Sequence, residues 1–152
     1  AGFYPMWVGM VDDKKAKEAF SKALDIKKAS TPFAAESALR LGEFSFAEKD
    51  YNKALSLFKK SAGLASSEDQ LAVRAHAYVG LARSSRAMDD LDGAARYFMS
   101  VAILYDDPEI VPECLYEAAS IFHTTGNQDA GDKAIQELKD RYPESSWAKK
   151  VK

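Results

Sequence analysis

The sequence predicts an all-α solenoid of antiparallel helix hairpins, about three and a half units with a cap at each end, and three observations carry that expectation. A small residue followed four positions later by a large apolar one recurs as Ala54-x3-Phe58, Ala94-x3-Phe98 and Gly131-x3-Ile135, spaced 40 and 37 residues apart. Helix start and stop signals fall in step with the recurrence. No strand-like alternation or low-complexity linker interrupts the series. Stepping back 38 residues from Ala54 lands on Ala16, where Ala16-x3-Phe20 with Ala23 and Leu24 makes a fourth, partial unit. Each phrase has a physical reason. Residues three and four apart share one helical face, so the small one lets two backbones approach while the large one fills the space beside it.

In chain order, helices are expected over residues 12–29, 33–48, 51–64, 68–87, 91–105, 109–124 and 128–141, with a short last helix over 146–151. Thr31-Pro32 reads as an N-cap followed by a proline in the first turn, where its missing donor is harmless. Ser67 with Gln70 three later has capping-box spacing and opens the fourth helix. Asp107-Pro108 and Val111-Pro112 mark a boundary before Leu115. Lys49-Asp50, Asp89-Asp90 and Gly126-Asn127 are the turns inside successive hairpins, each built from residue types that tolerate or stabilise a turn.

The 152 residues suit one domain. The expected division is a terminal cap or the severed edge of a longer array at 1–11, a partial repeat at 12–29, full repeats at 33–64, 68–105 and 109–143, and a capping helix at 144–152. A hydrophobic content of 47% with 29% charge places the chain among soluble globular proteins. Lys and Arg number 21 against 23 acidic residues, so the net charge of −2 lacks the basic excess that a nucleic-acid partner requires. No apolar run reaches the roughly 18 to 20 residues that would span a bilayer. Cys114 is the one cysteine, which excludes an internal disulfide.

The first-helix phrases Ala38-x2-Leu41-Gly42, Tyr78-x2-Leu81-Ala82 and Leu115-x2-Ala118-Ala119, followed by the small–large pairs and by Pro143, resemble the tetratricopeptide repeat. The resemblance covers nearly all of residues 12–143. It is strongest in 35–66, where Leu41, Gly42, Tyr51, Ala54 and Phe58 fall in order, and weakest in the third unit, where Gly131 and Ile135 replace the repeat's Ala and Phe. The first-helix tryptophan of the family is replaced by Ala38, Tyr78 and Leu115. The resemblance implies a right-handed superhelical solenoid whose first helices face an inner, peptide-binding groove. The tail Tyr142-Pro143-Glu144-Ser145-Ser146-Trp147-Ala148 is similar to the unit boundary of bacterial cell-envelope members, such as outer-membrane assembly lipoproteins and periplasmic proteins associated with the Tol-Pal system. That similarity implies the periplasm or cell envelope, with the cytoplasm as the alternative.

The resemblance places Glu36, Leu39, Arg40, Glu43 and Phe46, then His76, Val79, Arg83 and Arg86, then Glu113, Tyr116, Glu117, Ser120 and His123 on the groove wall. The asparagines with which co-chaperone members clamp an acidic tail are absent, so that ligand is not implied. Arg40, Glu43, Phe46, Arg83, Arg86 and Tyr116 are the expected partner-binding residues: arginines suited to carboxylates and backbone carbonyls, aromatics suited to apolar anchoring. Against this stands the plain reading that charged helix faces are merely solvated.

No catalytic, metal or cofactor site is expected. His76 and His123 lack the companions of a metal motif, and Cys114 lacks an orienting third group, so it reads as a small buried hydrophobe. Gly42 and Gly131 read as close-approach positions. The expected function is therefore a non-enzymatic module that binds a peptide or helix of a protein partner. A structural protein that self-assembles through its end faces is the alternative. The apolar segment Phe3 to Met10 reads as a cover for the first, incomplete unit.

Overall fold

A small residue four positions into each second helix is what allows these helices to pair, and the same local arrangement is built three times. The computed structural model describes residues 13–26 and 32–151, and the apolar segment Phe3 to Met10 and the cap residue Thr31 lie outside them. Among the described residues the chain is all-helical: α1 (Asp13–Ile26), α2 (Pro32–Ala47), α3 (Tyr51–Leu64), α4 (Leu71–Ala87), α5 (Leu91–Leu104), α6 (Val111–Thr124), α7 (Gln128–Arg141) and α8 (Ser146–Lys150). A single 3-10 turn, Glu68–Gln70, leads into α4.

The three turns within hairpins share one geometry. Lys49, Asp89 and Gly126 each take a positive φ, at 64°, 64° and 87°. The residue that follows, Asp50, Asp90 or Asn127, folds its side-chain oxygen back onto the backbone N–H of Lys53, Gly93 or Ala130. Its own N–H closes onto the carbonyl five residues earlier, at Ser45, Ser85 and Phe122. A left-handed residue ends one helix by satisfying its last carbonyls, and the polar residue after it caps the next. Ala54, Ala94 and Gly131 then stand at the same place, each donating its N–H to the cap residue's carbonyl at 2.9, 3.0 and 3.1 Å. All three are buried, whereas Ala16 in the partial unit is half-buried.

Other boundaries show where local chemistry overrides helical pattern. Ser67 donates from its N–H and its hydroxyl to Gln70 Oε1, at 3.5 and 2.9 Å, so the expected capping pair is present, with a 3-10 turn before α4 begins at Leu71. The helix expected from residue 109 starts instead at Val111, because the Asp107 carboxylate takes the N–H of Glu109 into a turn. Pro112, in the first turn of α6, costs that helix no hydrogen bond.

The chain divides into two compact units, Ala1–Ser84 and Ser85–Lys152. In the first, α1 packs on α2 and α2 on α3. Its core is rich in alanine, with Ala34, Ala35, Ala38, Ala54, Ala75, Ala77 and Ala82 all buried around Leu39, Phe44, Phe58, Val79 and Leu81. Phe58 occupies the centre. A methyl group placed on Gly42 of α2 would lie 2.7 Å from its ring, and one on Gly80 of α4 would lie 2.6 Å away. The ring is closed in by backbone on both sides. Ser61 adds a buried hydrogen bond from its hydroxyl to the carbonyl of Ala35, at 2.8 Å.

In the second unit α5 packs on α6, α6 on α7, and α8 rests on both α6 and α7. Phe98, Val101, Ala102, Val111, Cys114, Leu115, Ala118 and Leu138 form its core. Arg141, at the end of α7, reaches 39 residues back to donate to the carbonyl of Ala102 at 3.0 Å, and to that of Tyr105 at 3.3 Å. A guanidinium thereby satisfies the C-terminal carbonyls of α5, where the helix dipole also favours a cation. Glu137, Asp106 and Tyr142 hold it there, and the Tyr142 hydroxyl donates to Asp106 at 2.6 Å. Desolvation opposes the charge on Arg141, but its bonds to Glu137 and Asp106 outweigh it and raise its pKa. Burial and the hydrogen bond to Asp106 push the Tyr142 hydroxyl up to about 12, and the same bond, with that from Arg141, holds Asp106 below the usual carboxylate range.

Phe58→Ala should lower stability by about 3 to 5 kcal/mol in urea denaturation, the range for emptying a fully packed aromatic site. Gly42→Ala should also destabilise, by about 1 to 2 kcal/mol, because overpacking against a ring that has no room to retreat exceeds the gain in helix propensity. Gly63→Ala, where an added methyl meets nothing within 4 Å, should stabilise by up to about 1 kcal/mol.

Candidate functional site

The first helices carry the expected arginines Arg40, Arg83 and Arg86 and the aromatics Phe46 and Tyr116, and burial sorts the expected groove residues into those at the surface and those beneath it. In the first unit Leu39, Glu43 and Val79 are each 1% exposed. They lie under the wall they were expected to line. Glu36, Arg40 and Phe46 of α2, with His76 and Arg83 of α4, keep partial or full exposure.

Glu43 organises this surface from below. Arg40 Nη1 donates to both of its carboxylate oxygens, at 3.1 and 3.0 Å, while Nη2 donates to Glu36 at 3.1 Å. One guanidinium thus links a buried and an exposed carboxylate on successive turns of α2, which fixes its plane. Phe46 packs edge-on against Tyr51, with ring centroids 5.3 Å apart. The burial of Glu43 raises its pKa to about 7, against the pull of Arg40 and the weaker field of Arg83, and with a small push from Glu36. Loss of hydration outweighs both cations.

In the second unit Arg86 lies over the ring of Phe98, 5.3 Å from its centroid, and its Nη1 pairs with Glu117 Oε2 at 2.6 Å. Its Nη2 also donates to the Glu117 carbonyl at 3.4 Å. Arg86 therefore braces the end of α4 against α5 and α6, and its surface is a third exposed. Tyr116 is half-buried on α6 and stacks on Trp147 of α8 at 5.2 Å, the planes inclined by 49°. Lys150 sits over the Trp147 ring, 4.0 Å from the centroid. His123 Nε2 lies 3.0 Å from Asp132 Oδ1, and its ring covers the open face of Gly131. Gly131 is thus a close-approach position filled by a neighbouring ring, which pins α7 to α6. Among the described residues no cluster of three or more His, Cys, Asp or Glu is placed to hold a metal ion.

The expected residues fall on separate supports: Arg40, Glu43, Phe46 and Arg83 in the first unit, Arg86 and Tyr116 in the second. Sequence reasoning did not anticipate Trp147 and Lys150 as partners of Tyr116, although their spacing of three on a short helix places them on one face. Nor did it anticipate Arg141, which besides the local Glu137 and Tyr142 has partners 35 to 39 residues away.

The hairpin α6–α7 is the part of the chain that a known family describes. Residues 113–145 match the tetratricopeptide repeat. The match runs through the unit whose Gly131 and Ile135 depart from the family phrase. Gly131 keeps the small seat, and the Tyr142-Pro143 ending follows in register. No curated protein matches the chain. Among the described residues no helix is long and apolar enough to cross a membrane.

A rise in pH should weaken the first unit. A carboxyl that binds its proton more tightly when folded contributes stability that is complete below the ordinary value of 4.5 and lost as pH climbs to about 7. The loss is at most roughly 3.5 kcal/mol, at about 1.4 kcal/mol for each tenfold change in proton affinity. Urea midpoints at pH 5 and pH 8 should differ for the native chain and converge for Glu43→Gln, which keeps an acceptor for Arg40 without the charge.

Proposed function

We propose that the chain is a non-enzymatic protein-interaction module, with residues 33–64, 68–105 and 109–143 as successive repeats, that binds an extended or helical segment of a protein partner on its first-helix faces. The observation that carries this reading is the tetratricopeptide match over residues 113–145, on a hairpin whose turn geometry recurs twice more in the chain. Stacked helical hairpins create extended concave binding surfaces, and the resemblance puts the first-helix faces on that surface. Here those faces carry Arg40, Phe46 and Arg83 in the first unit and Arg86 and Tyr116 in the second.

Arg40 is pre-oriented by Glu43 and Glu36, so a partner's carboxylate or carbonyl meets a guanidinium that loses little freedom on binding. Glu43 is a positioning residue in this scheme. Phe46 and Tyr116 supply apolar contact, and Arg86 acts chiefly as a brace. The near-neutral charge favours proteins over nucleic acid as partners, and the similarity of the Tyr142–Ala148 tail favours an assembly or scaffolding role in a bacterial cell envelope.

A displayed library of 12-residue peptides selected on the full chain tests the reading. Enriched peptides should shift the amide resonances of Arg40, Phe46 and Arg83, and Arg83→Gln should weaken their binding about tenfold, the loss of one charge-assisted contact, with circular dichroism unchanged. Enrichment no higher than on an unrelated helical protein, or equal binding by Arg83→Gln with no shifts at those residues, would defeat it.

A further inference from the structure

The second unit contains a cleft of about 350 Å³ between α6, α7 and α8, lined among others by Tyr116, Ala119, Ser120, His123, Ile135 and Lys150. Its chemistry is asymmetric. Ala119 and Ile135 make its apolar part, and the Tyr116 ring makes one wall, with Trp147 packed against that ring at 5.2 Å. Lys150 lies 4.0 Å from the Trp147 centroid and 6.0 Å from that of Tyr116. Among the described residues no aspartate or glutamate lines the cleft. The neighbouring Lys149 pairs with Glu144, whereas among the described residues Lys150 has rings and no acidic group beside it.

The groups that might repel an anion here are already engaged. The Ser120 carbonyl accepts from the Thr124 hydroxyl at 2.9 Å, and that of His123 accepts from Gln128 Nε2 at 3.3 Å. Asp132 points its Oδ1 at His123. A lysine held against aromatic faces is dehydrated on one side and offers the other to a counter-charge. One cation beside an apolar floor does not suit a row of phosphates, which requires several. It suits a carboxylate with an aliphatic neighbour, and the volume takes about two side chains, toward the lower end of binding clefts in general.

We propose that this cleft seats an acidic–aliphatic segment of a protein partner, an aspartate or glutamate on Lys150 with the adjoining leucine, isoleucine or valine against Ala119 and Ile135. The proposal rests on the reading of the chain as a protein-interaction module, but it uses a surface that Arg40 and Arg83 do not line.

Trp147 reports on the site through its contacts with Tyr116 and Lys150. In a Trp7→Phe background it is the remaining tryptophan, and its emission can be followed while the full chain is titrated with acetyl-Asp-Leu-Asp-Leu-amide. A saturable change is expected, with amide shifts at Ser120, His123 and Ile135 and binding that weakens as salt is raised. Acetyl-Asn-Leu-Asn-Leu-amide should bind about tenfold more weakly, and so should the acidic peptide to Lys150→Gln, an exposed substitution that leaves the core intact. Arg83→Gln should bind it unchanged. No saturation, equal binding of the two peptides, or full binding by Lys150→Gln overturns the proposal. Loss of binding in Arg83→Gln moves the peptide to the other surface, which overturns the cleft and leaves the module reading standing. Shifts at the same residues on raising protein concentration without peptide, with growth in sedimentation, assign the cleft to a second copy and also overturn it.

Discussion

The ring of Phe58, shut between the backbones of Gly42 and Gly80, sets the distance at which three helices of the first unit stand from one another. Glycine is the residue that permits it, and the ring is the residue that makes the close approach worthwhile, since each alone would leave either a clash or a void. The alanine-rich surroundings follow from the same spacing: helices this close have room for little more than a methyl group at most facing positions. The second unit solves the problem with different pieces. Phe98 is covered by the Arg86 guanidinium, and Gly131 by the ring of His123.

With cores this thin in large side chains, charged residues take on packing roles. Arg86 stacks as much as it pairs, and Arg141 closes the end of α5 through carbonyls that no local residue reaches. Both use the planar, multi-donor guanidinium in ways that a lysine does not reproduce. Glu43 shows the opposite balance. It is buried beneath Arg40, and its dehydration raises its pKa to about 7, so the first unit is expected to lose stability as pH rises from about 4.5 to about 7. The arginines of this chain are therefore not equivalent. Arg86 and Arg141 brace helices through a ring and through carbonyls, whereas Arg40 is held by two carboxylates of its own helix.

Two kinds of surface result. The α2 and α4 faces of the first unit offer guanidinium planes and an aromatic edge, suited to carbonyls and carboxylates along a peptide. The cleft under α8 offers a single ammonium above an apolar floor. In both, the side chains are held by intramolecular partners, Arg40 by Glu43 and Glu36 and Lys150 over the Trp147 ring, an arrangement that would limit the rotamer freedom lost to the proposed ligands.

By itself the sequence determined the order and type of the elements, the positions of the three hairpin turns, and the seats of Ala54, Ala94 and Gly131. These are local matters, set by residues within five positions of each other through capping bonds and the left-handed turn residue. Tertiary structure decided which way each face turned. In α4 apolar and small residues occur nearly all round the helix, so periodicity leaves its rotation open, and only the Phe58 ring lodged against Gly80 selects one. The stacking of Arg86 on Phe98 spans 12 residues, and the pairing of Arg86 with Glu117, the capping of α5 by Arg141 and the meeting of Tyr116 with Trp147 each span about 30 or more, whereas Arg40 and Glu43 pair within α2. Charge pairing and stacking depend on distances in space, which a repeat pattern constrains only to the nearest helix face.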